Sequence, residues 1–272
     1  MRNSKTNELV LTGLFTAIII IMAFTPLGYI PLVVINATII HIPVILGSLF
    51  CGPKKGAFLG FVFGFTSCLK ATIVGGTLSS FVFSPVLAAS MVGTSGIFKS
   101  LFIAFVPRIL VGVIPYFVYI GIKKMLASEK KNLWGTALNV LMSVFLAFGV
   151  YAFLGKMSES LSQAAALGIG IAVGAVVFIV VEAVFIRKST QVIPFVYAGV
   201  AGAMTNTLLV MGSIFVLYKD AYADAIGVAG NAVLGVITGV ISFNGVIEAI
   251  VAAIIVYLVG LVLNTIKPIA AK

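Results

Sequence analysis

Charge is what this chain has least of. Asp, Glu, Lys and Arg make up 9% of its 272 residues, where a soluble domain carries about 25%. Hydrophobic residues make up 61%. One soluble core could not bury that much apolar surface, so the chain reads as an all-α, polytopic membrane protein. Its apolar runs lack the period-two alternation of an outer-membrane barrel. Acids are scarcer still, seven against seventeen Lys and Arg, and no acidic cluster marks a Mg²⁺–diphosphate site. One histidine and two cysteines leave no metal constellation. Cys51 and Cys68 lie inside apolar runs and read as small core residues, not as a disulfide. The sequence has no Gly-x-x-x-x-Gly-Lys-[Ser/Thr], no His-Glu-x-x-His and no Gly-x-Ser-x-Gly, which removes P-loop ATP hydrolysis and two families of hydrolase chemistry. No enzyme and no cofactor are expected. The two halves show no clear inverted repeat of the kind secondary transporters carry. The net charge of +10 does not indicate nucleic-acid binding, because the basic residues sit in turns and termini between apolar runs.

What is present is a series of apolar segments. Eight spans are expected, at about 7–24, 37–52, 55–71, 100–122, 133–154, 161–186, 192–218 and 243–266. The first run follows Met1–Lys5 but lacks a small-residue cleavage site, so it reads as a span and not a secretory leader. Residues 73–98 are broken by Gly75, Gly76, Pro85, Gly93 and Gly96 and read as a long loop or re-entrant segment. The most informative stretch is 36–70. Two apolar runs flank the turn Gly52-Pro53-Lys54-Lys55-Gly56, and both are expected to fall short of the ~20 residues a helix needs to span a bilayer. The open ends of that hairpin, Asn36, Thr38 and His41 on one arm and Lys70 on the other, then lie at one depth below the membrane surface. Polar groups there must face protein, a ligand or a wet cavity.

Orientation follows the basic residues. With the N-terminus in the cytoplasm, twelve Lys and Arg fall inside. Five fall on or near the outer side: Lys70, Lys99, Arg108, Lys156 and Lys219. Both termini are then cytoplasmic. Glu182 lies near the cytoplasmic end of its span, within reach of Arg187, while Asp220 and Asp224 read as solvated in an external loop. On the outer half of the membrane several polar residues lie too deep to be there idly. Arg108 is about two turns into an apolar segment. Asn206 stands between Thr205 and Thr207 in a helix interior, and an amide there needs a neighbour or a ligand. Asn244 and Glu248 are four apart and share a helix face, with Arg108 or Lys70 as expected partners of Glu248. The candidate substrate-binding set is therefore Asn36, His41, Lys70, Lys99, Arg108, Asn206, Asn244 and Glu248. On the first span, Gly13 and Ala17 form a small-xxx-small pair that lets another helix approach closely, inside this chain or from a partner.

Several ordered motifs resemble a known family. Thr25-Pro26-Leu27-Gly28, His41-Ile-Pro-Val-Ile-Leu-Gly47, Cys51 through Gly64, Pro107-Arg108-Ile-Leu-Val-Gly112, Ala203-Met-Thr-Asn206-Thr and Asn244–Ala252 look like the substrate-binding S components of energy-coupling factor (ECF) vitamin transporters. The resemblance covers 1–125 and 195–266. It implies a six-helix core with a vitamin bound in an outward cavity, in the plasma membrane of a bacterium. It also implies partners, a transmembrane coupling protein and two cytosolic ATPases, with the coupling protein docking at Gly13 and Ala17. The family usually has two alanines there. Residues 128–190 depart from the six-span pattern and are expected to form an inserted helix pair, which leaves a core of 1–127 and 191–272. The excess of Lys70, Lys99 and Arg108 over Glu248 favours an anionic ligand. Within the family that points to pantothenate first and folate second. A stand-alone ion-coupled transporter, with Arg108 and Glu248 as its relay, is the alternative, and a membrane enzyme or assembly subunit a third possibility.

Overall fold

The computed structural model describes residues 2–31, 36–75, 77–157, 161–183, 192–266 and 268–269. The chain is helical almost throughout. Helix α1 runs Arg2–Phe24. A short antiparallel ribbon follows, β1 (Tyr29–Pro31) with β2 (Asn36–Thr38), Tyr29 opposite Thr38. Then come α2 (His41–Cys51), α3 (Pro53–Ile73), α4 (Pro85–Val92), α5 (Ser95–Val111) and α6 (Ile114–Leu126). They are followed by α7 (Lys131–Met157), α8 (Gln163–Val181), α9 (Ile193–Ile226), α10 (Val233–Val240) and α11 (Val246–Ile266). Residues Ile241–Gly245 join α10 to α11 through a π-helical turn.

Seven of these stretches are long and apolar enough to cross a membrane, with α5–α6 and α10–α11 each counted as one. The eighth expected span is α2. Its 11 residues rise about 16 Å at 1.5 Å each, roughly half of a bilayer core. Pairing within the ribbon that precedes it satisfies backbone groups of β1 and β2.

Four boundaries differ from the sequence reading. Helix α3 is not short: its 21 residues continue through Lys70 to Ile73. Residues 73–98 are not a loop. They contain α4, started by the Ser84 side chain accepting from Leu87 N–H and by Pro85 in the first turn, and the first turn of α5. Helix α9 runs on to Ile226, bending at Tyr218 (φ −133°), so Asp220 and Asp224 lie exposed on a helix. The last span begins at Val233, ten residues before Phe243, because the π turn carries the helix through Phe243-Asn244-Gly245, where the span was expected to start.

The main core gathers Phe15 and Ile19 of α1, most of α2, Leu59 and Phe63 of α3, Tyr119 of α6, Phe195 of α9 and Val256 of α11. A second cluster ties α4, α5, α10 and the end of α9 together. Helices α7 and α8 pack mainly on each other, Gly170 and Gly174 lying against Ala147 and Ser143. Glu182, just beyond α8, accepts from Thr136 Oγ1 (2.7 Å) and Asn139 Nδ2 (3.0 Å) of α7; Arg187 lies outside the described residues. The stripe Gly56, Gly60, Gly64 on α3 seats α5. A Cβ at Gly60 would stand 2.1 Å from the Arg108 carbonyl oxygen, and one at Gly56 2.0 Å from that of Gly112. Only glycine permits this approach, and it brings Arg108 beside α3.

Candidate functional site

A cavity of about 360 Å³ opens where β2, α3, α5 and α9 meet. Helix α3 contributes Phe63, Ser67 and Lys70, at helical spacing along one face, and the segment after it adds Thr77, Ser80 and Phe83. Thr38 enters from the ribbon, Arg108 from α5 and Asn206 from α9. Among the described residues the lining therefore carries two cations, one amide, several hydroxyls and two phenyl faces, and no carboxylate. Of the residues expected at the open ends of the 36–70 hairpin, Thr38 and Lys70 line this hollow and His41 does not.

Arg108 is 6% exposed. A guanidinium at such depth needs hydrogen bonds and polarisable neighbours. Its Nη1 donates to the Ile103 carbonyl at 2.7 Å. Its charge lies over the Phe83 ring at 4.7 Å and the Phe63 ring at 5.4 Å, within the range of cation–π attraction.

Glu248 sits one layer behind the lining. Its Oε1 accepts the Thr38 backbone N–H at 2.8 Å, and its Oε2 accepts from Thr207 Oγ1 at 3.0 Å. The sequence reading gave it Arg108 or Lys70 as a partner. Its hydrogen bonds come instead from two threonines, and the Arg108 charge acts on it from a distance. One carboxylate thus ties the ribbon to α11 and to α9, next to Asn206. Gly245 makes the same junction tight, since a Cβ there would stand 2.9 Å from Thr207 Cγ2.

The other expected residues separate. His41 begins α2, is fully buried, and neither ring nitrogen has a hydrogen-bond partner among the described residues. Asn206 and Asn244 are also buried with unpartnered Oδ1 atoms. A buried polar atom left so is costly unless water or a ligand meets it. Asn244 lies on the π turn and, like His41, does not line the cavity. Lys99 is turned away from it and stands 5.6 Å over the Tyr218 ring in the second cluster. Asn36 is placed by its backbone in β2; its side chain lies outside the described residues. Gly13 and Ala17 lie exposed on α1, and a Cβ at Gly13 would meet nothing within 4 Å.

Sequence reading missed Phe63, Ser67, Thr77, Ser80 and Phe83 as lining residues. Ser67 and Phe63 were available from Lys70, one and two turns back on α3. The other three lie in 73–98, read as a long loop or re-entrant segment, in which no single residue stood out.

Comparisons with known proteins agree with one another. The profile of the family described as ECF transporter, substrate-specific component, matches residues 7–186. The pantothenic acid transporter PanT of Lactococcus lactis subsp. cremoris (strain MG1363) is 43% identical over 161 residues, covering 55% of this chain and 78% of that protein. The pantothenate transporter PanT of Leuconostoc mesenteroides subsp. mesenteroides is 27% identical over 277 residues, covering 100% of this chain and 98% of that protein. That second alignment runs through the α7–α8 pair.

Proposed function

The chain belongs to the family of substrate-specific components of ECF transporters, and from that premise we propose that its cavity captures pantothenate for ATP-driven import. The observation that carries this reading is the joint lining of one hollow by Lys70, Arg108 and Asn206 with the hydroxyls of Thr38, Ser67, Thr77 and Ser80 and the rings of Phe63 and Phe83. Pantothenate has a carboxylate, an amide, hydroxyls and a geminal dimethyl group. The cations suit the carboxylate, the amide and hydroxyls suit the middle of the molecule, and the phenyl faces suit the methyl groups. About 360 Å³ falls within the ~300–1,000 Å³ of small-molecule sites. The buried amide oxygen of Asn206 has no hydrogen-bond partner among the described residues, and it can accept from a ligand hydroxyl or amide N–H.

The sequence carries no P-loop motif, and the family reading assigns ATP hydrolysis to two cytosolic ATPases joined to this chain by a coupling protein. Gly13 and Ala17 form the docking point, on a face of α1 that also exposes Leu9, Val10 and Leu14. The protein sits in the bacterial plasma membrane with both termini in the cytoplasm and the cavity facing out. The core is 1–127 and 191–272, and 128–190 is a helix pair added to its side.

The test is radiolabelled pantothenate binding by the purified chain, with mass spectrometry of any co-purifying molecule, followed by uptake into proteoliposomes. Retention of pantothenate, and uptake only when the ATPase module and ATP are present, supports the reading. The rival reading is an ion-coupled transporter built on Arg108 and Glu248, both buried at membrane depth. Uptake by the chain alone, driven by a proton or sodium gradient, would select it.

A further inference from the structure

Arg108 follows a proline in the interior of α5. In an α-helix the carbonyl of residue i−4 accepts the N–H of residue i. Position 107 has no N–H to give, so the carbonyl of Ile103 loses its regular partner. Ile103 is fully buried, and a buried carbonyl with no donor is unfavourable. The group that meets it is Arg108 Nη1, at 2.7 Å.

We propose that Pro107 is a positioning residue for ligand capture: by vacating the Ile103 carbonyl it creates the seat that fixes the Arg108 guanidinium at the cavity wall. The proposal rests on reading the cavity as an anion site. An arginine side chain is long and rich in rotamers, and fixing it before the ligand arrives removes an ordering cost from binding. The seat takes one Nη, and the Phe63 and Phe83 rings bracket the guanidinium. Proline therefore acts at one remove, through a carbonyl it never touches by hydrogen bond.

A proline that merely shapes α5 would behave differently. Interior proline weakens a helix. In P107A the new N–H shares the Ile103 carbonyl, whose two lone pairs then serve two donors, so the helix strengthens while the guanidinium is held less tightly. Stability and affinity then move in opposite directions.

The experiment uses the full chain in lipid nanodiscs. Melting is followed by intrinsic fluorescence and pantothenate binding by calorimetry. Modification of ligand-free Arg108 by phenylglyoxal is followed by peptide mass spectrometry. P107A is expected to melt no lower than the parent, to be modified at Arg108 several-fold faster, and to bind pantothenate about tenfold more weakly, the size of one charge-assisted hydrogen bond. P107V also supplies an N–H and should behave alike, which covers a failure of the first variant to fold. An unchanged modification rate in both variants overturns the proposal, whatever happens to affinity, because the seat would then not depend on the proline. If the parent chain does not bind pantothenate, the ligand assignment fails, and the modification rates still decide whether Pro107 seats Arg108.

Discussion

Gly60 of α3 lies against the backbone of Arg108 on α5, so closely that a Cβ on Gly60 would come within 2.1 Å of the Arg108 carbonyl oxygen. A backbone atom cannot swing aside as a side-chain tip can. G60A should therefore push α3 and α5 apart and destabilise the protein by about 1–3 kcal/mol, with pantothenate affinity falling alongside as Lys70 and Arg108 separate. G13A is the control, since nothing lies within 4 Å of a Cβ there. Thermal melts of the two variants in one detergent check this; equal melting temperatures would show that α3 and α5 are not so closely packed.

Arg108 should dominate ligand charge recognition. Removing one member of a buried charge pair costs 2–5 kcal/mol or more, so R108A should weaken pantothenate binding by about 30-fold at least, and R108K only partly restores it, because a lysine cannot hold the Ile103 carbonyl and present a planar fork together. Lys70 is less buried and its loss should be milder. Calorimetry on the three variants orders them. An R108A protein with parental affinity would leave Arg108 a purely structural role.

The span pattern was legible because periodicity and length in apolar runs are local properties. The burial of Arg108 and Asn206 was legible for the same reason, as each is a polar residue inside such a run. What could not be read was which polar residues converge. Lys99 lies nine residues before Arg108 on the same helix, a separation of about two and a half turns. That places the two on different sides of α5, and Lys99 ends over Tyr218. The hydrogen-bond donors of Glu248 could not be read, because charge matching points to a lysine or arginine; the Arg108 charge does act on it, but the hydrogen bonds come from Thr207 and from a backbone N–H of a ribbon 210 residues away in sequence. A π turn also escaped detection, since Phe243, Asn244 and Gly245 read as a helix start and not as an irregularity inside one. The short α2 was legible, and its meaning as a half-span became clear once the ribbon above it was seen to be anchored at Thr38.

The Glu248 junction separates hydrogen bonding from charge. A glutamine there can accept from Thr38 N–H with its carbonyl and donate to Thr207 Oγ1 with its amide, because a hydroxyl serves either role. E248Q should therefore keep pantothenate affinity within about threefold of the parent, whereas E248L, which strands the Thr38 N–H, should lose ~1–3 kcal/mol in affinity and in stability together. A proton relay through Glu248 demands the opposite for E248Q, complete loss of coupled uptake with folding intact. Binding and proteoliposome uptake on the same two variants decide between them.

The exposed face of α1 gives a prediction in which binding and transport part. Gly13 and Ala17 are one turn apart on that face, and the open space over Gly13 means that a larger side chain meets no atom of this chain. G13L should leave melting temperature and pantothenate affinity unchanged, because the cavity is built by β2, α3, α5 and α9 and not by α1. A partner helix that must approach within the close distance small residues allow would be held off by the leucine, so ATP-driven uptake should fall by at least about tenfold in proteoliposomes holding the complete complex. Pull-down of the coupling protein by the variant should fall in parallel. Loss of binding in G13L would place this stretch of α1 in the ligand-binding core, and full transport by G13L would move the docking surface elsewhere, with the side of α8 away from α7 the next to examine, since it exposes Ile171, Val176 and Ile179.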